Sequence, residues 1–325
     1  MKFGFECTSP WVLAAHGSFA VSGEPNAIEY WLNHPVVKAL LPIPVFFAIA
    51  PAVWWFFRDT WKQLDVEAAN RRIELADAGQ FDKRPLVALV ITAVVITLQE
   101  YYGGRTLYED AIRTWLLAHE RNGWTFLHVA RFDELYGYTW WILARVIGYV
   151  VIPFPLWKLL FPKDSLLDLG LRTRGFTQHL WIYGLCLAIV VPTMLVVANQ
   201  PDFGAYYPFY KLSSRSWFDF LAWEAMYYVQ FFALELFFRG FLVGTLRHSL
   251  GSASIFVMVV PYCMIHFGKP YLEASGAIVA GIVLGSLAAK TKSIYAGFLV
   301  HVTVAASMDI LSLWHRHGLP DKIWP

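Results

Sequence analysis

Long apolar runs follow one another along the chain, separated by charged stretches. They lie at 36–57, 85–103, 138–160, 179–199, 217–245, 253–267, 273–289 and 294–314. A helix needs about 20 mostly apolar residues to cross a bilayer. The pattern therefore predicts an all-α, polytopic integral membrane protein of about eight transmembrane helices, the sixth rather short. The connection 104–137 is long and mixed. Within it "LYEDAIRTWLLAH" has helix-like spacing and is expected to lie along the membrane interface. No internal repeat and no low-complexity segment interrupts the series. Four parts follow: an extramembrane N-terminal arm over 1–35, a region of four helices with loops over 36–216, a core of four helices over 217–314, and a tail over 315–325.

Composition agrees with this pattern. Of the 325 residues, 57% are hydrophobic and only 15% are charged, against about 25% charged in soluble domains. A net charge of +2 says little by its sum, and no nucleic-acid partner is expected. Its placement says more. The loop 58–84 carries Arg58, Lys62, Arg71, Arg72, Lys83 and Arg84, the loop 161–178 carries Lys163, Arg172 and Arg174, and the turn 290–293 carries Lys290 and Lys292. With eight spans these three fall on one side, which the positive-inside rule makes cytoplasmic. The N-terminal segment has one basic residue, Lys2, and an apolar run broken by Pro10 and His16. It is expected to be an arm rather than a cleaved signal. Cys7, Cys186 and Cys263 have no metal-type spacing, and no disulfide framework is expected. Fifteen tryptophans near the span ends suit an aromatic belt. The short loops suit a bacterial inner membrane.

The candidate chemistry lies where ionisable residues enter apolar spans. A charge at the bilayer centre costs several kcal/mol, which makes each such residue a functional-site hypothesis. They concentrate after about residue 217: Glu224, Glu235 and Arg239 in the fifth span, His266 at the end of the sixth, Glu273 at the start of the seventh, and His301 and Asp309 in the eighth. Glu235 and Arg239 are four apart and can pair on one helix face. Glu224 is eleven residues before Glu235, about three turns, and projects the same way. His301 and Asp309 share a sector of one face, with the small Ala305 between them. Gly281 and Gly285 form a small-xxx-small pattern that lets helices approach closely. These features predict a close-packed four-helix core lined by Glu235, His266 and His301.

The same residues carry a resemblance. "ELFFRGFL" with Glu235 and Arg239, "YCMIHFG" with Tyr262 and His266, and "GFLVH" with His301 resemble the CPBP family, the CAAX prenyl endopeptidases and their abortive-infection-type bacterial relatives, over about 217–314. The family pattern has two adjacent glutamates, an arginine four residues after the second, an aromatic four before a histidine, and a histidine four before an asparagine. Two positions depart from it: Leu234 stands in place of the first glutamate and Ala305 in place of the asparagine. The resemblance implies an intramembrane endopeptidase acting on a membrane-associated peptide or protein in the lipid bilayer. Glu235 is the expected base that activates water, with His266 and His301 as oxyanion stabilisers. Arg239, Asp309, Glu224 and Tyr262 support them. Two histidines and a carboxylate could equally hold zinc, with water in the open position. The sequence leaves open a site with zinc, on Glu235, His266 and His301, and one with no metal.

Two other readings share these buried charges. A proteolytically inactive member could serve as a membrane scaffold, immunity or peptide-binding protein, which Leu234 and Ala305 favour. A transporter would also place carboxylates in spans, but the inverted repeat that many transporters show is not seen.

Overall fold

The computed structural model describes residues 34–198, 206–269, 271–314 and 318–325. The segment expected to be an arm lies almost wholly outside the described residues. Regular structure among the described residues is helical, apart from one isolated bridge between Leu171 and Ser293. Eight principal helices follow in order. They are α1 (Pro42–Asp77), α2 (Arg84–Tyr102), α3 (Val129–Leu160), α4 (Leu180–Val197), α5 (Trp217–Leu250), α6 (Ala253–Met264), α7 (Tyr271–Thr291) and α8 (Tyr295–Ser312). Each falls on one of the eight apolar runs.

Five of them, α2, α3, α5, α7 and α8, are long and apolar enough to cross a membrane among the described residues. Eight such spans are therefore not found. Helix α6 has only 12 residues, about 18 Å of rise, too short for the hydrocarbon core. Helix α1 is 36 residues long, but prolines and tryptophans dilute its apolar half. It also does not stop at residue 57, where its apolar run ends; it continues to Asp77 through Arg58, Lys62, Arg71 and Arg72. The stretch expected to be a loop is mostly helix, because charge ends a membrane span without ending a helix. Helix α3 likewise begins at Val129 rather than 138. The connection before it holds helical turns from Arg105 to Arg121, as its spacing predicts.

Helix α5 is the axis of the molecule. In its most apolar stretch 83% of the residues are buried, against 28% in α2 and 33% in α3 and α8. The outer helices thus keep apolar faces for lipid, while α5 is surrounded by protein. Its Phe237, Phe238, Phe241, Leu242 and Leu246 are fully buried against Tyr149 and Trp157 of α3 and Ile255, Met258 and Tyr262 of α6. Gly281 and Gly285 bring α7 against α6, as their spacing predicts. A Cβ on Gly285 would lie 2.8 Å from the Met258 methyl, and one on Gly281 3.0 Å from Val259.

Both ends of α5 are fixed. At its start Ser216 accepts a hydrogen bond from the Asp219 backbone N–H at 3.1 Å, and its hydroxyl donates to the Asp219 carboxylate at 2.7 Å. Tyr210 (2.6 Å) and Arg215 (2.7 and 2.9 Å) complete that carboxylate's shell. The tail closes over the same end, where the Lys322 and Ile323 carbonyls accept the N–H groups of Trp217 and Phe218. The orphan donors of the first turn are satisfied in this way. Ser216→Ala is expected to cost about 1 kcal/mol, seen as a lower melting temperature in detergent, while Ser216→Thr stays near wild type. Equal melting of the two variants would show that the cap does not hold this end.

The other end of α5 meets the basic connections. Arg84 pairs with Asp164 at 2.9 Å, Ser249 with Asp82, the Asp65 carboxylate accepts the Ser252 N–H at 2.8 Å, and Leu171 bridges to Ser293. The three Lys- and Arg-rich stretches therefore lie together at one end of the bundle, as the charge pattern predicts. Cys186 and Cys263 are free, and Cys7 lies outside the described residues.

Candidate active site

Glu235 lies where α5 changes pitch. The helix is α-helical up to Glu235 and π-helical over Leu236–Val243, a distortion frequent at functional sites. Its carboxylate and the Arg239 guanidinium are both wholly buried and pair at 3.0 Å. Two unit charges with no exposure are tolerable only when paired, and here each neutralises the other. The guanidinium also lies over the Tyr262 ring, 4.0 Å from its centroid, a cation–π contact that ties α5 to α6.

Helix α8 supplies the third group. His301 Nδ1 lies 2.9 Å from Glu235 Oε1. The pair is at charge-contact distance but is not aligned as a hydrogen bond in this conformation; such contacts commonly tighten only when substrate binds. On its other side, His301 Nε2 is 3.2 Å from the Tyr262 hydroxyl. Phe231 of α5 stacks on the imidazole with centroids 5.2 Å apart and planes 8° apart. Glu235 therefore touches both Arg239 and His301, and Tyr262 touches both Arg239 and His301, so the four form a closed ring of contacts across three helices. His301 is the member that reaches outward, its side chain 16% exposed where Glu235 has none.

Gly297, one turn before His301, makes this possible. A Cβ there would lie 3.0 Å from the Glu235 carboxyl carbon, and closer still to Oε2. The carboxylate thus rests against the bare backbone of α8.

His266 joins less directly. It follows the end of α6 in a turn, and its Nδ1 donates to the Tyr262 carbonyl at 2.8 Å. Its ring meets the Tyr262 ring edge-on at 4.7 Å. Because a carbonyl only accepts, Nδ1 carries the proton and Nε2 presents a lone pair. The neutral ring cannot donate an Nε2 hydrogen bond to an oxyanion. Among the described residues no three His, Cys, Asp or Glu groups gather in an arrangement that could hold a metal ion. The Nδ1 contacts of His266 and His301 are those of metal-binding histidines, but in this conformation the Glu235 carboxylate is taken up by Arg239, His301 Nδ1 and the Gly297 backbone, and so is not presented as a third ligand beside the two Nε2 atoms.

Glu224 and Asp309 are elsewhere. Glu224 is about 16 Å of helix rise from Glu235, and Asp309 about 12 Å from His301. Both are buried, their carboxyls side by side, and Trp223 Nε1 donates to Asp309 Oδ2 at 2.7 Å. They form a second polar pair between α5 and α8, out of contact with Glu235. The two positions that depart from the family pattern are also filled. Leu234 is buried in the main apolar core, and Ala305 packs among Trp223, Tyr227 and Tyr138.

Comparison with known families points to the same segment. Residues 216–307 match the family model Type II CAAX prenyl endopeptidase Rce1-like. The match opens at Ser216, the cap of α5, and contains Glu235, Arg239, Tyr262, His266 and His301. The Rce1-like segment covers under a third of the chain and excludes Asp309. Its family is one of proteases, and with the apolar helices it supports an integral membrane protein. No curated protein and no solved structure matches the chain.

Two residues of the site escape sequence reasoning. Gly297 carried a signal, as the first residue of "GFLVH" one turn before His301, but nothing local says that a carboxylate of another helix presses on it. Phe231 carried none, being one of many apolar residues on α5.

Proposed function

We propose that the chain is an intramembrane endopeptidase of the CAAX-protease type, in which Glu235 and His301 act together as the base. The observation that carries this reading is the wholly buried Glu235 carboxylate held between Arg239 and His301 Nδ1. Glu235 alone is enclosed. Coupled to His301, it engages Nδ1 and leaves Nε2, beside the Tyr262 hydroxyl, as the nitrogen free to take a proton, and it stabilises the cation formed when that nitrogen takes one, as a carboxylate does in a catalytic triad. A water beside Nε2 loses its proton there as its oxygen attacks the amide carbonyl carbon. The Tyr262 hydroxyl, now at 3.2 Å from Nε2, turns to donate to the tetrahedral oxyanion. Collapse breaks the C–N bond, and His301 returns the proton to the leaving amine. Arg239 holds the Glu235 charge in an apolar helix. His266 fixes the end of α6 and offers Nε2 as an acceptor that orients water.

The substrate is a membrane-associated peptide, and a peptide with a prenylated cysteine followed by three residues is the first to assay. His301→Ala is expected to lower its cleavage by about 10²–10⁴-fold, the usual contribution of a general base. Tyr262→Phe keeps the ring under Arg239 and is expected to cost about 10²–10³-fold, the worth of one oxyanion donor. Undiminished cleavage by the His301 variant would remove it from the mechanism. The alternative, a proteolytically inactive scaffold, immunity or peptide-binding protein, is supported by Leu234, a buried apolar residue where the family pattern has a carboxylate. It is favoured if the wild-type protein binds the peptide and never cleaves it.

A further inference from the structure

A cavity of about 430 Å³ opens among the basic connections, between α1, α2, α3 and α5. That volume is in the range of small-ligand sites. Arg71, Arg84 and Lys163 stand on its walls, and so do Asp82, Asp164 and Asp168. The charges balance in number but not in commitment. Asp164 takes Arg84 with both oxygens, at 2.9 and 3.1 Å. Asp168 takes Arg172 at 2.6 Å. Asp82 accepts the Arg84 backbone N–H at 3.1 Å and the Ser249 hydroxyl. The cations are less engaged. Lys163 joins none of the ion pairs among the described residues. Arg71 meets Glu74 at 3.3 Å in an exposed pair, a kind of contact worth little.

A buried donor lines the same cavity. Trp157 of α3 is 1% exposed, and its Nε1 has no hydrogen-bond partner. Asp164 lies near this N–H, but both of its oxygens are turned to Arg84. Indole is a donor only, and a buried donor left unpaired calls for an acceptor. The place of the cavity says what carries that acceptor. It lies at the basic end of the bundle, where α2 begins and α3 ends. Leu86, two residues after Arg84, and Leu159 and Leu160, just before Lys163, are exposed apolar side chains. They give acyl chains a surface next to the cavity.

We propose that this cavity binds the phosphodiester of an anionic phospholipid. Trp157 Nε1, Lys163 and Arg71 donate to its unesterified oxygens, and its acyl chains lie along Leu86, Leu159 and Leu160. Phosphate oxygens accept from indole, ammonium and guanidinium groups alike. Basic residues beside the ends of membrane helices attract anionic headgroups. The acids set the selection. All three already hold partners, so none is free for the ammonium of a zwitterionic headgroup. A neutral alcohol beside the phosphate makes no such demand. Arg84 is held by Asp164 and lies over the Phe161 ring, 5.0 Å from its centroid. It thereby fixes the start of α2 against the end of α3, and with it the width of the site.

The test uses the full-length protein in a neutral detergent and a fluorescent phosphatidylglycerol, with binding read by anisotropy. Unlabelled phosphatidylglycerol, phosphatidylethanolamine, phosphatidylcholine and inorganic phosphate are the competitors. Phosphatidylglycerol is expected to displace the probe at about a tenth of the concentration that either zwitterionic lipid needs, the worth of a charge-assisted contact. Arg71→Gln with Lys163→Gln reduces that preference to about twofold or less. Trp157→Phe keeps an aromatic ring in the core and weakens the probe about tenfold, the loss of one hydrogen bond. The double variant decides the question if Trp157→Phe does not fold, since the Arg71 and Lys163 side chains both reach solvent. Lys62→Gln with Lys83→Gln is the control. It removes two charges from the same end but none from the cavity walls, and it is expected to keep most of the preference. An equal loss in the two double variants shows attraction to a basic surface alone and overturns the site. Equal displacement by all three lipids, or an unchanged preference in Arg71→Gln with Lys163→Gln, also overturns it. Inorganic phosphate that displaces the probe as well as phosphatidylglycerol does would assign a soluble phosphate and overturn the lipid reading.

Discussion

Glu235→Gln is expected to abolish peptide cleavage and to destabilise the protein at the same time. The activity loss is about 10²–10⁴-fold, because the neutral amide cannot offset an imidazolium and can turn its NH₂ to Nδ1, which fixes the wrong tautomer of His301. The stability loss follows from Arg239. Its side chain has no exposure, and its charge is answered by Glu235 at 3.0 Å. Removing one member of such a pair leaves a buried charge alone, at a cost of about 3–5 kcal/mol. The two effects separate in a double variant. Glu235→Leu with Arg239→Met removes both charges and is expected to melt near or above wild type, since replacing a buried pair by apolar groups is often neutral or stabilising. It remains inactive. Cleavage and thermal melting in the same detergent check both statements. Full activity in Glu235→Gln would exclude Glu235 from the chemistry. An unchanged melting temperature would show that water reaches the pair.

The second large effect is expected at Gly297. Its backbone faces the Glu235 carboxylate, and an added Cβ would lie 3.0 Å from the carboxyl carbon. The carboxylate cannot withdraw cheaply, because Arg239 and His301 hold it from the other sides. Gly297→Ala therefore forces α8 away from α5, or Glu235 out of register with His301. A displacement of 1 Å at a reacting group can cost about 10²-fold, and overpacking adds about 1–3 kcal/mol of instability. Gly276→Ala is the control. An added Cβ there has nothing within 4 Å, so this variant is expected to match wild type in cleavage and to melt at the same temperature or slightly higher. Normal activity in Gly297→Ala would mean that the close approach of Glu235 to α8 is not needed.

These expectations depend on features that were legible in the sequence to different degrees. The Glu235–Arg239 pair was legible because it is local: four residues on one helix face meet whatever the rest of the chain does. The close contact of α6 and α7 was legible from Gly281 and Gly285 for a similar reason. Glu224 was harder to place. It shares a helix and a direction with Glu235, yet about 16 Å of rise separates them, and it meets Asp309 instead. Helical phase gives direction but not depth. The extent of α1 was hidden because hydropathy reports where lipid ends and not where backbone hydrogen bonding ends. The short α6 lies opposite in kind, apolar throughout yet only 12 residues long.

By itself the sequence determined the all-helical membrane character, the positions of the principal helices, the side on which the basic connections lie, and the ion pair on α5. Each of these follows from near neighbours along the chain: apolar runs, charge placement and i,i+4 spacing. Only the tertiary structure decided that His301, 66 residues beyond Glu235, turns Nδ1 to that carboxylate, that Tyr262 bridges Arg239 and His301, and that Gly297 admits the carboxylate to the backbone of α8. It also decided that Arg247 is buried, its Nε without a hydrogen-bond partner, beside the same cavity as Arg239. Such contacts depend on how α5, α6, α7 and α8 are rotated and seated against one another. That is set by the packing of many apolar side chains at once, and no single stretch of sequence encodes it.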